Sequence, residues 1–186
     1  MRAFLIITIA IGAALNAAPV SADVVAVTPA SFEIGQSIVI DRSPAQVWDM
    51  LRAPQKWWSK DHTYSGDSNN LYLDSQATGC FCERLPGGGS VEHGRIVHLR
   101  PQKMMRLNAA LGPLQAEAVT GTLTWTLTAE GENATLIKLT YVVGGHIRGG
   151  AEALAPAVDE VMAVQMLGLK TATEALAVPV APPTQE

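Results

Sequence analysis

The chain has 186 residues, of which 48% are hydrophobic and 16% are charged, and its net charge at pH 7 is −4. This length suggests one domain with tails, and the apolar fraction excludes an intrinsically disordered chain. No basic patch stands out, so the sequence predicts no nucleic-acid partner, and the acidic balance argues against docking on anionic lipid.

The first 22 residues have the pattern of a secretory signal peptide. Arg2 precedes an apolar run over residues 3–15, and Val20 and Ala22 place small residues before a cleavage site. The run is short for a bilayer span, which favours a cleaved signal over an uncleaved membrane anchor. We therefore predict a periplasmic or secreted protein, cleaved after Ala22, with no stable membrane insertion afterwards.

The remaining chain divides into an N-terminal extension (23–31), one folded domain (32–176) and a disordered tail (177–186). Segments rich in β-branched residues or with period-two alternation predict strands, and short polar or glycine-rich turns connect them. The alternation is clearest where threonines face one side and Leu-Trp-Leu, centred on Trp125, the other. The predicted strands cover 32–41, 71–73, 79–85, 90–99, 104–111, 122–128 and 136–143.

Two helical regions complete the prediction. Ser43 and Pro44 favour the start of a short helix that ends at Leu51, followed by a second short turn over 55–59. From Ala151 to Leu176 the period becomes 3.6. The long helix has an apolar stripe that only the inner face of the sheet can cover. The expected fold is α+β: a curved antiparallel sheet wrapped around a C-terminal helix, with space between them for a ligand.

Five groups of residues, spread over about positions 32–175, carry a family resemblance. They are residues 43–48 with 57–58, 79–83, 91–94, 111–114 and 158–170. Together they resemble the SRPBCC superfamily, which includes START lipid-transfer domains, polyketide cyclases and AHSA-type relatives of a heat-shock ATPase activator. The nearest match is an AHSA-like or uncharacterised, exported branch. The resemblance implies a helix-grip fold with a hydrophobic tunnel, and no single reaction, because such folds host many functions.

Cys80 and Cys82 are the only cysteines. A hairpin turning at the glycine run after Pro86 pairs Cys82 with His93, and a shift of one residue undoes this pairing. A disulfide would be strained in a regular strand, where Cα atoms two residues apart lie ~7 Å apart. Three interpretations remain open: apolar packing, a redox dithiol or disulfide, and a soft-metal site with too few ligands. We expect no metal and no cofactor.

Glu83 also flanks this turn, near Glu92, Phe81 and His98 in the predicted register. It lies either at a solvated hairpin end or inside the cavity. In the cavity it would be a candidate general base whose pKa burial raises. His62 is expected in a surface loop. One of Trp57 and Trp58 is expected to pack under the sheet, while the other gates the cavity mouth.

The ligand-binding residues are therefore predicted as Trp57, Trp58, Tyr64, Cys80, Phe81, Cys82, Glu83, His93, Trp125, Met162 and Met166. The sequence has no nucleophile-elbow, phosphate-loop or zinc-protease motif, so it reveals no complete catalytic site. The leading hypothesis is an exported protein that binds a small apolar ligand, lipid-like or aromatic. One alternative is a cyclase-like or hydrolase-like enzyme using Glu83, His93 or the two cysteines. Another is an AHSA-like partner-binding or stress-related module, whose protein partner the sequence does not identify.

Overall fold

The computed structural model describes residues 21–176; nearly all of the predicted signal peptide and the predicted tail lie outside them. Eight strands form one antiparallel sheet in the order β1-β2-β8-β7-β6-β5-β4-β3. The strands are β1 (Ser21–Thr28), β2 (Ser31–Ile40), β3 (Leu71–Leu73), β4 (Cys80–Arg84), β5 (Ser90–Arg100), β6 (Met104–Asn108), β7 (Ala118–Ala129) and β8 (Thr135–His146). The helices are α1 (Pro44–Leu51) and α2 (Ala151–Glu174). The predicted α+β helix-grip fold is confirmed.

The first helix begins where the sequence predicts. Ser43 adopts an extended conformation and forms a capping box with Gln46, and Pro44 occupies the first turn. This arrangement satisfies backbone N–H groups that the helix itself leaves unpaired. The helix then buries Val47, Trp48, Met50 and Leu51 against the core.

Strand β1 is a feature that the sequence does not predict. It pairs with β2 along its length, from Ser21 opposite Ser37 to Thr28 opposite Ser31. Val24 packs against the core, whereas Val25 and Val27 are exposed. The strand lies at one edge of the sheet and extends the surface on which α2 packs.

Helix α2 packs mainly on β1 and β2, and its apolar stripe divides into two parts. Met162, Met166 and Leu169 are fully buried, whereas Leu154 and Val158, nearer the start of the helix, are only partly buried. The C-terminal half of the helix is therefore packed into the core, and the N-terminal half borders an open space. Neither described helix is long and apolar enough to cross a membrane.

One glycine sets how closely α2 approaches the segment that carries the tryptophans. A Cβ atom at Gly168 would lie 2.4 Å from the carbonyl oxygen of Trp57, a distance that real Cβ atoms do not reach. The helix therefore rests directly on the Trp57 backbone. Trp57 and Trp58 are both buried, with ring centroids 5.4 Å apart.

Candidate functional site

A cavity of about 470 Å³ lies between the N-terminal half of α2, the loop that follows Trp58, the β5 residue His93 and the loop after β6. Most of its lining is apolar, with a few polar groups at one side. The lining residues are Trp58, Asp61, His62, Thr63, Tyr64, His93, Leu111, Gly112, Pro113, Leu114, Leu154, Ala157, Val158, Val161 and Met162.

A buried glutamine fixes the loop that forms one wall of this cavity. Gln165 of α2 accepts a hydrogen bond from the backbone N–H of Ser59 at 2.8 Å, and its amide nitrogen lies 2.6 Å from His62 Nδ1. Trp58 Nε1 donates to the backbone oxygen of His62 at 3.1 Å. His62, expected in a surface loop, is therefore held against the helix and lines the cavity.

A β-bulge places an imidazole at the cavity. Phe81 pairs with Gly94, but the next residue, Cys82, pairs with Glu92, so His93 is the extra residue on β5. The predicted pairing of Cys82 with His93 is therefore wrong, because the register shifts by one residue at the bulge. The shift turns His93 toward the inner face, where its Nε2 lies 3.0 Å from Glu83 Oε2.

Glu83 is fully buried, so it does not lie at a solvated hairpin end. Its Oε2 accepts from the backbone N–H of Tyr64 at 3.1 Å, and its Oε1 accepts from the N–H of Ser65 at 2.5 Å. Burial alone would raise the pKa of Glu83, but the hydrogen bonds from Ser65, Tyr64 and His93 together lower it. The predicted rise in pKa is therefore corrected: the loop donors stabilise the carboxylate.

Burial favours the neutral form of the His93 imidazole. Its ring is 5% exposed, and this burial lowers the pKa of the imidazole below 6.5, although hydrogen bonding and charge attraction from Glu83 partly oppose the effect. An ionised carboxylate can only accept a hydrogen bond, so His93 Nε2 carries the proton that points to Glu83. The other ring nitrogen, Nδ1, is therefore an acceptor.

Two tyrosines position the residues around the cavity mouth. Tyr64, half-exposed, lies over His93 with ring centroids 5.9 Å apart and donates to the backbone oxygen of Gly112 at 2.9 Å. Tyr141, fully buried, donates to the oxygen of Ala109 and accepts from the N–H of Leu111, each at 3.0 Å. Burial raises the pKa of Tyr141 to about 12.

The two cysteines form a disulfide on the opposite face of β4 from Phe81 and Glu83. Their Cα atoms are 5.4 Å apart, closer than the ~7 Å expected for a regular strand. The disulfide holds these two β4 residues closer together than regular strand geometry does, across from the β5 bulge. Within residues 21–176, no group of three or more His, Cys, Asp or Glu side chains could hold a metal ion.

The structure distributes the predicted ligand-binding residues over four positions. Trp58, Tyr64, His93 and Met162 line the cavity. Glu83 and Phe81 lie behind His93, with the rings of Phe81 and His93 4.9 Å apart. Trp57, Trp125 and Met166 are buried elsewhere in the core, and Cys80 and Cys82 face away.

Several lining residues are not among those predicted from the sequence. Loop residues 111–114 carry part of the family resemblance, and Leu154, Val158 and Val161 belong to the apolar stripe of the long helix, for which the sequence predicts only packing against the sheet. The length of that stripe is a partial signal of a cavity. Where the sheet does not cover the whole stripe, some of its apolar residues are left without partners and border a space.

A sheet wrapped around a long helix, with a mostly apolar cavity between them, defines a helix-grip protein of the ligand-binding type. The chain belongs to the family described as polyketide cyclase / dehydrase and lipid transport, whose model matches residues 31–174. This result confirms the resemblance to the SRPBCC superfamily. No curated protein matches the chain.

Similar solved structures support the fold. A conserved protein of unknown function, EF2215 from Enterococcus faecalis, is 13% identical, with 89% of this chain and 83% of that one covered and a TM-score of 0.60. CalU16 from Micromonospora echinospora is 16% identical over 80% and 78% of the two chains, with a TM-score of 0.53. CV1439 from Chromobacterium violaceum is 16% identical over 76% and 96%, also at 0.53. At such identities the likeness concerns the fold alone.

Proposed function

We propose that this protein binds a small, largely apolar molecule, lipid-like or aromatic, in the cavity between α2 and the sheet. The observation that carries the proposal is the cavity itself, which is about 470 Å³ in volume and lined mainly by apolar side chains. Ligand sites typically occupy ~300–1,000 Å³ and combine apolar walls with a few fixed polar groups. Membership of a family associated with lipid transport agrees with this function.

Two walls of the cavity are held in place by hydrogen bonds. Gln165 holds the wall that carries His62, and Tyr141 holds the loop that carries Leu111. Such a preformed site lowers the cost of ordering side chains when a ligand binds. The partly buried Leu154 and Val158 gain apolar contacts only when a molecule occupies the space beside them.

Native mass spectrometry of the protein purified from the compartment in which it accumulates tests this proposal. We expect a mass excess over the polypeptide that disappears on denaturation, and organic extraction should recover the released molecule. The same measurement after extraction and refolding, with and without added extract, shows whether the bound molecule returns. A protein that carries no ligand and takes up none of the extract would contradict the proposal.

We also propose that the protein acts outside the cytoplasm, after removal of residues 1–22. The support is the charged and apolar pattern of the first residues and the small side chains before position 23. The intact mass of the protein from the periplasm or medium should correspond to a chain that begins at Asp23. A chain that keeps its first residues and fractionates with the cytoplasm would exclude export.

A further inference from the structure

The polar groups of the cavity are unevenly distributed, and this distribution restricts what can bind. The imidazole of His93 forms part of the lining, with Glu83 directly behind it. The face that α2 presents is apolar, with Leu154, Val158 and Met162. A ligand in this cavity therefore meets hydrocarbon along the helix and polar side chains of the loop and of β5, His93 among them.

The free nitrogen of His93 is a hydrogen-bond acceptor. His93 Nε2 donates to the Glu83 carboxylate, and Nδ1 has no hydrogen-bond partner among the described residues. Among the described residues, three side-chain atoms are fully enclosed and have no hydrogen-bond partner: Gln36 Oε1, Arg42 Nε and Trp57 Nε1. His93 Nδ1 is not among these enclosed atoms, although it also has no partner. A molecule in the cavity can therefore reach it.

The second imidazole of the lining does not compete for this role. His62 Nδ1 already accepts a hydrogen bond from the amide of Gln165, which is itself held by Ser59. In the neutral ring the remaining nitrogen then carries the hydrogen. His93 is thus the lining imidazole whose free nitrogen is an acceptor.

The charges near the cavity disfavour anions. Asp61 lines it and the carboxylate of Glu83 lies directly behind His93, whereas none of the described lining residues is a lysine or arginine. A carboxylate or phosphate placed here would lose its hydration without gaining a cation, which is costly.

We infer that the cavity selects neutral molecules whose polar end is a hydroxyl group, with His93 Nδ1 accepting the hydroxyl hydrogen bond. This inference rests on the proposed function, since it concerns the ligand of the same cavity. The carboxylate of Glu83 strengthens the acceptor, because it orients the ring and polarises it through Nε2.

Three naphthalenes test the inference by calorimetric titration at neutral pH: 2-naphthol, 2-fluoronaphthalene and 2-naphthoate. The first carries a hydroxyl donor, the second a group of similar size that cannot donate, and the third a negative charge. We expect 2-naphthol to bind about tenfold more tightly than 2-fluoronaphthalene, as one buried hydrogen bond would give, and 2-naphthoate to bind weakest.

Variants of His93 assign the preference to its ring. His93→Phe should bind 2-naphthol and 2-fluoronaphthalene with equal affinity, because the acceptor nitrogen is gone. His93→Gln, which can donate to Glu83 and still offer an oxygen to the ligand, should recover part of the advantage. His98→Phe, at an exposed position on the same strand, is the matched control and should behave like the wild type.

The outcomes separate the inference from the proposed function. Equal binding of 2-naphthol and 2-fluoronaphthalene to the wild type would overturn the inference and leave the cavity as a binding site. Tighter binding of 2-naphthoate would overturn it as well. If none of the three compounds binds, the inference is overturned, whereas the proposed function is decided by the native mass spectrometry. The wild-type comparison needs no variant, so a poorly folding His93→Phe does not prevent the decision.

Discussion

Glu83 connects parts of the site that are distant in the chain. Its two carboxylate oxygens accept from the backbone of Tyr64 and Ser65, and one of them also lies beside His93 Nε2. One buried side chain therefore fixes the loop at the cavity mouth and the direction in which His93 presents its free nitrogen. A carboxylate without these donors would be costly to bury.

The Glu83–His93 pair predicts how stability depends on pH. The pKa of Glu83 is lowered in the folded protein, so its contribution is present above the unfolded pKa and lost as the pH falls through the folded value. The pKa of His93 is also lowered, so below about pH 6.5 the unfolded chain binds a proton more readily and stability falls. Acid should therefore destabilise the protein in two stages.

Urea unfolding measured between about pH 8 and pH 4 checks this dependence. In the wild type the free energy of unfolding should begin to fall below about pH 6.5, and His93→Phe should lose this first stage while keeping the fall at lower pH. His98→Phe, which changes an exposed imidazole of the same strand, should keep both stages. A wild-type stability that stays constant down to about pH 4.5 would contradict the assignment.

Gly168 gives a second prediction at a single residue. At an exposed helical position, glycine to alanine stabilises by about 1 kcal/mol. Here the added methyl group meets the carbonyl oxygen of Trp57, so Gly168→Ala should destabilise by roughly 1–3 kcal/mol in chemical denaturation. Thr171→Ala, at an exposed position of the same helix, is the control and should change stability little. A gain in stability for Gly168→Ala would contradict the close packing of α2 on Trp57.

The sequence could nominate Glu83 and His93, because both flank one hairpin turn. It could not decide the direction of the Glu83 pKa, since the donors that determine it belong to a loop that precedes it by 18 and 19 residues. Sequence reasoning can anticipate only burial, which raises the pKa of Glu83, whereas the hydrogen bonds from the loop lower it.

At the scale of elements, the β4–β5 hairpin determines the site. Its strands were predicted almost to the residue, but one extra residue at the bulge shifts the pairing beyond Phe81. Period-two patterns do not reveal a bulge, because the inward-facing residues on each side of it still alternate. That single shift turns the His93 side chain to the inner face of the sheet, where it contacts Glu83.

The edge strand β1 was missed for a different reason. Its valines follow directly on a segment with signal-peptide character, and its outward-facing Val25 and Val27 do not alternate with polar residues. Strand propensity is weak evidence without such alternation. The pairing with β2 becomes evident only when the sheet is assembled.

The disulfide gives a prediction for this hairpin. Titration of free thiols in the denatured protein, purified from an oxidising compartment, should give none without reductant and two after reduction. The bond closes a very short loop, so replacing both cysteines with alanine should cost on the order of 2 kcal/mol or less. Two free thiols without reductant would instead favour the apolar packing interpretation.

The disulfide lies on β4, directly across from the β5 bulge that positions His93. In the doubly substituted protein, Cys80→Ala with Cys82→Ala, the advantage of 2-naphthol over 2-fluoronaphthalene should therefore shrink more than the affinity for 2-fluoronaphthalene itself. The calorimetric titration described above measures both. An unchanged advantage would show that strand pairing alone fixes the bulge.

At the scale of the whole molecule, the cavity exists because only part of the apolar stripe of α2 is covered by the sheet. Its C-terminal half is buried against the core, while residues near its beginning face a space that the sheet does not fill. The sequence predicted the helix, its stripe and the sheet around it, because all three follow from periodicity. It could not locate the cavity, since this depends on how α2 packs on the Trp57 backbone and on the loop that Gln165 holds.

The central claim is that a small apolar molecule binds between α2 and the sheet, and filling that space is its most direct test. Val158 and Val161 line the cavity, whereas Val164 and Leu167, at the same spacing on α2, are about half exposed. Binding of the neutral dye N-phenyl-1-naphthylamine, followed by its fluorescence, compares the double substitutions Val158→Trp/Val161→Trp and Val164→Trp/Leu167→Trp. The first should weaken dye binding at least about tenfold, because two indoles occupy the cavity, and the second should leave it unchanged. Equal dye affinity in the wild type and both variants would contradict binding in this cavity.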